Sequence, residues 1–60
     1  MALRSKEHKS FSSCYNTVRQ EILASNSKLT EAEIANKIKN TMYLEDSGKY
    51  CIIYEIDSED

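Results

Sequence analysis

The sequence predicts an α+β fold: two amphipathic helices followed by one β-strand that pairs with a second copy of the chain or with a partner. Three observations carry this expectation. Residues 10–25 place Phe11, Cys14, Tyr15, Val18 and Ile22 on one face at the helical period. A second run, 30–42, opens on Thr30 and Glu33 in the Thr-x-x-Glu spacing of a capping box. The third is Lys49–Ile56, dense in aromatic and β-branched residues, which is the composition of a strand.

Taken in order, residues 1–9 show no hydrophobic period. Arg4, Lys6 and Lys9 outnumber Glu7, so the segment reads as a flexible basic arm. Ser10 is suited to cap the first helix, because its hydroxyl accepts from a free first-turn N–H. Asn16, Arg19 and Gln20 make the solvent face, and Ser25-Asn26-Ser27 closes the element, with Asn26 able to take a left-handed conformation. In the second helix Leu29 and Ile34 stand at the positions of a hydrophobic staple. Glu31 and Glu33 sit at the positive end of its dipole, and Lys37 and Lys39 towards the negative end. Its apolar side is Ile34, Ile38 and Met42, with Ala35 beside them. Glu45-Asp46-Ser47-Gly48 is a turn that holds the single glycine. The domain thus spans 10–56 and ends in an acidic tail, 57–60.

One strand alone leaves its N–H and C=O groups unpaired, and its apolar edge would aggregate. Three partners are open to it: the basic arm folded back, the same strand of a second copy, or a strand of another protein. The arm offers only Ala2 and Leu3 as apolar residues. A two-fold pairing doubles a core that 60 residues can hardly supply, so a homodimer or a strand-bound protein partner is expected. The partner-binding residues on this reading are Lys49, Tyr50, Cys51, Ile52, Ile53, Tyr54 and Glu55. The expected core joins Phe11, Tyr15, Val18 and Ile22 to Ile34, Ile38 and Met42, and these to Tyr50, Ile52 and Tyr54.

Composition narrows the function. Net charge is −2, and Glu45, Asp46, Glu55, Asp57, Glu59 and Asp60 against Lys49 make the C-terminal third acidic, so the footprint of a duplex-DNA binder is missing. Leu29-Thr30-Glu31-Ala32-Glu33-Ile34-Ala35 looks like the first helix of a helix-turn-helix unit, but a turn and a strand follow it where a basic recognition helix is required. Tyr50 and Tyr54 beside Lys49 have the form of a base-stacking surface without a basic surround, and read as core or interface aromatics. Cys14 and Cys51 do not form a Cys-x-x-Cys pair, and with the single His8 they lack zinc-site spacing. Ser12-Ser13 has no Gly-x-Ser-x-Gly elbow and no orienting carboxylate. The expectation is a non-enzyme without metal or cofactor. No apolar run reaches membrane length and no secretory leader opens the chain, so a reducing, cytoplasmic setting is expected.

The run Ile34-Ala35-Asn36-Lys37-Ile38-Lys39-Asn40-Thr41-Met42, followed after a turn by Lys49-Tyr50-Cys51-Ile52-Ile53-Tyr54-Glu55, resembles the dynein light chains. In that family two amphipathic helices precede a sheet, the second helix carries a similar Ile-Ala-x-x-Ile-Lys pattern, and the first strand after it carries a similar aliphatic run. The family continues with further strands, including the edge that docks a partner's peptide. This chain departs from the pattern by stopping after one. The resemblance implies a small protein-binding adaptor or regulator acting through its C-terminal strand. The alternative is a small inhibitor of the viral or phage type that blocks a host protein, and a further alternative is a nucleic-acid-binding regulator.

Overall fold

Backbone pairing decides where the second helix ends. In the computed structural model, which describes residues 2–57, the order is β1 (Ala2–His8), α1 (Phe11–Ser25), α2 (Glu31–Lys37), β2 (Ile38–Leu44) and β3 (Lys49–Ile56). The strands form one antiparallel sheet in the order β1-β3-β2. This corrects the expected helix-helix-strand arrangement. β3 is the central strand and is paired on both edges within its own chain, so its backbone calls for neither a second copy nor a partner. The stretch 2–8, expected as a flexible arm, is a strand paired with β3 from Ala2↔Ile56 to His8↔Tyr50.

The second correction is equally physical. Ile34, Ile38 and Met42 fit a helix, but Thr41/Tyr43 and Met42/Leu44 also alternate as a strand does. Asn40, Thr41 and Tyr43 are weak helix formers, and a hairpin to β3 satisfies backbone groups that a helix would leave exposed on that strand. The chain therefore turns extended at Ile38 (φ −82°, ψ 116°) and runs antiparallel to β3 from Ile38↔Tyr54 to Leu44↔Lys49, with a bulge between Ile38 and Asn40. Glu45–Gly48 closes the hairpin. The Gly48 N–H donates to the Leu44 carbonyl at 2.7 Å, and Gly48 takes φ 69°, a left-handed value that glycine adopts without steric cost.

Both helix starts form as expected. The Ser10 hydroxyl accepts from the Ser13 N–H at 3.4 Å. At α2 the Thr30 hydroxyl accepts from the Glu33 N–H at 3.2 Å, while the Glu33 carboxylate accepts from the Thr30 N–H at 2.8 Å. Thr30→Ala removes half of this box from a helix of only seven residues. It is expected to cost about 1 kcal/mol, lowering the thermal midpoint by about 4–8 °C. An unchanged melt would show that the cap contributes nothing. Asn26 ends α1 in an extended conformation (φ −159°), not the left-handed one. Its amide donates to Asp57 at 3.1 Å and its side-chain oxygen accepts from the Lys28 N–H at 3.1 Å.

Both helices lie on one face of the sheet. Cys14, Val18 and Ile22 of α1, Ile34 of α2 and Ile52, Tyr54 and Ile56 of β3 form the core, with Ala2, Tyr15, Leu23, Leu29 and Ile38 packed around it. Three expected core residues are outside it: Phe11 is 45% exposed and Met42 38%, and Tyr50 is half-buried at its margin. Ion pairs tie the elements at the rim. Arg19 of α1 meets Glu31 of α2, and Lys37 at the end of α2 meets Asp57 at 2.6 Å. The bonds from Lys37 and then Asn26 hold the Asp57 carboxyl below its ordinary value, and Asp57 in turn raises Lys37. Asp57, expected as the start of an acidic tail, thus joins the ends of α1, α2 and β3. Residues 58–60 of that tail lie outside the described residues.

Tyr54 is fully buried, and its hydroxyl has no hydrogen-bond partner among the described residues. Burial, and behind it the charge of Glu21, pushes the phenol up from its ordinary value. An unpaired buried hydroxyl costs about 1–3 kcal/mol of desolvation. Tyr54→Phe should therefore melt at the parent's temperature or above it. A lower midpoint would mean that the hydroxyl is bonded in solution.

Candidate functional site

The helices cover one face of the sheet and leave the other open. Side chains alternate along a strand, so the register assigns each residue to a face. Ala2, Arg4, Lys6 and His8 share the helix side with Tyr50, Ile52, Tyr54 and Ile56. The open side carries Leu3, Ser5 and Glu7 from β1, Lys49, Cys51, Ile53 and Glu55 from β3, and Asn40, Met42 and Leu44 from β2. Leu3 is 67% exposed. Cys51 is buried although it lies outside the helix-side core, flanked by Glu7 and Met42 in the register. Ile53, Cys51 and Met42 give this face an apolar middle, with Leu3 at one end beside Glu55 and Leu44 at the other beside Lys49. Its charges sit around them: Lys39 meets Glu55 at 3.5 Å, Lys49 lies at the other end of β3, and Glu7 lies on β1.

The expected binding segment is thereby split by its own alternation. Lys49, Cys51, Ile53 and Glu55 reach the open face. Ile52 and Tyr54 are in the core, and Tyr50 is half-buried among aromatic rings. Leu3, Met42 and Leu44, missed as surface residues in the sequence, complete the open face. The two-residue alternation in 40–44 was the signal available for the last two.

A second feature stands at the hairpin end of the helix side. The Tyr43 and Tyr50 rings lie 5.0 Å apart, Phe11 meets Tyr50 edge-on at 5.7 Å, and Phe11 stacks on Tyr15 at 6.3 Å. Beyond Tyr43 an open hollow of about 520 Å³ is lined by Tyr43, Leu44, Glu45, Asp46 and Ser47.

Chemistry for catalysis is sparse. The Cys14 thiol donates to the Lys6 carbonyl at 3.3 Å and to the Tyr50 carbonyl at 3.6 Å. Burial pushes it up from its ordinary value, which makes a thiolate less available. Among the described residues no three His, Cys, Asp or Glu side chains gather as metal ligands. None of the helices among them is long and apolar enough to cross a membrane. Where the helix-turn-helix echo would need a recognition helix, β2 follows α2 directly.

No protein-family model, curated protein or solved structure matches this chain.

Proposed function

We propose that the chain is a small non-enzymatic protein-binding module, an adaptor or regulator working in the cytoplasm, and that it binds through the open face of its sheet. The observation that carries this reading is the apolar middle of that face. Met42 is exposed beside Cys51 and near Ile53, and Leu3 is exposed at the Glu55 end, on a side that neither helix covers. Clustered apolar surface on a small protein marks an interaction site, whereas single exposed apolar residues carry no such meaning. Binding here uses side chains, because both backbone edges of β3 are already occupied. The adaptor role implied by the dynein-light-chain resemblance and the inhibitor alternative share this surface. They differ in whether the bound protein keeps its own activity.

The test compares capture by the parent with capture by a Leu3→Asp/Met42→Asp double variant, its fold checked by circular dichroism. Both residues are exposed, so the charges should not disturb the core. Proteins retained by the parent should be lost by the variant. Equal retention by both would remove the open face as the binding surface.

A further inference from the structure

We infer that the open face takes a second copy of this chain, stacked sheet on sheet about a two-fold axis that crosses β3 between Cys51 and Ile53. The inference rests on the protein-binding reading above and names the partner.

The charges of the face argue for it. The chain is net negative, yet its open side holds Lys39 and Lys49 against Glu7 and Glu55, a balanced set. A face built for a basic or an acidic partner would carry an excess of one sign. Here the signs are separated along one strand, with Lys49 at one end of β3 and Glu55 at the other, and Cys51 and Ile53 between them. A two-fold axis lying in the interface and running across the strands reverses β3 over itself. Lys49 of each copy then stands over Glu55 of the other, so two ion pairs form from one complementarity. Small Cys51 stands over large Ile53 in both halves, and Glu7 stands over Ser5. An axis running along β3 would instead set Lys49 on Lys49 and Glu55 on Glu55, which like-charge repulsion disfavours. Stacked sheets lie about 10 Å apart with their side chains interdigitated, a gap that a lysine and a glutamate together span.

The size of the face sets the strength. Three strands about 4.8 Å apart and about 3.3 Å per residue long give a patch of roughly 15 by 25 Å. That is smaller than the roughly 800 Å² per partner of a standard interface. The dimer is therefore weak and falls apart on dilution.

Sedimentation equilibrium of the full chain over a wide concentration series tests this. The average mass of the parent should climb from one chain towards two. Lys49→Glu, a change at the rim of the sheet that leaves the core intact, should stay monomeric where the parent is dimeric, and so should Ile53→Asp. Lys49→Glu/Glu55→Lys combined with Lys39→Glu should recover dimer, since every pair, that of Lys39 with Glu55 included, is restored with its signs exchanged. A parent that stays monomeric throughout overturns the inference, and so does a dimer indifferent to Lys49→Glu. Failure of this exchange to rescue in a variant that melts like the parent overturns the antiparallel stacking. A monomeric parent whose captured proteins are still lost in Leu3→Asp/Met42→Asp would leave the protein-binding reading standing without the dimer. Equal capture as well would remove both.

Discussion

Ile52→Ala should remove a large share of the chain's stability and lower its melting midpoint steeply or abolish the transition. Ile52 is fully buried in the middle of the central strand, between Lys6 of β1 and Thr41 of β2, and packs in the same core as Cys14, Val18, Ile22 and Ile34. Truncating such a side chain costs roughly 2–5 kcal/mol, through lost burial and the cavity left behind. A chain of 60 residues at the usual stability per residue holds about 3–9 kcal/mol in total. The far-ultraviolet circular dichroism and the thermal transition of the variant give the answer. A cooperative melt within a few degrees of the parent's would mean that Ile52 is not central.

Removing residues 1–9 should have an effect of similar size. β1 contributes seven paired positions to β3, and its loss turns the central strand into an edge. It also removes Ala2, which packs on the core, and the Lys6 carbonyl that accepts from Cys14. Loss of cooperative melting and aggregation through the bared edge are expected. The experiment separates two pictures sharply, because a mere basic arm could be cut away without moving the melting midpoint.

The difference between those two pictures shows what the sequence makes legible. The helices were readable because their signals are local. The Ser10 cap, the Thr30–Glu33 box and the Cys14–Val18–Ile22 stripe all lie within a few turns of one another, and they formed where expected. β3 is readable from its composition, and so is the need for its backbone to be paired. The partners themselves were not readable. β1 puts Arg4, Lys6 and His8 on the side that faces the helices and Leu3 on the open side, so its apolar pattern runs against its orientation. Its only claim to strand structure is the vacancy beside β3, a fact about residues fifty positions away. β2 carries two superposed periods, and the hairpin to β3 chose between them. For the candidate site the same logic applies. Lys49, Cys51, Ile53 and Glu55 came from the strand itself, whereas Leu3 and Met42 became neighbours of that strand only through the sheet order.

That order also bears on how the protein is made. Among the described elements the strand at the centre of the sheet comes last, and β1, the first of them, pairs with it end to end, Ala2 with Ile56. During synthesis α1 and α2 can form as they emerge, since their hydrogen bonds are local. β1 and β2, which lie on opposite sides of β3, have nothing to pair with until residues 49–56 are released. Sheet and core must then form together, by contacts that span nearly the whole chain, a topology that folds more slowly than its helices alone would suggest. A ribosome-bound chain halted before residue 49 should therefore be helical at most and sensitive to protease throughout.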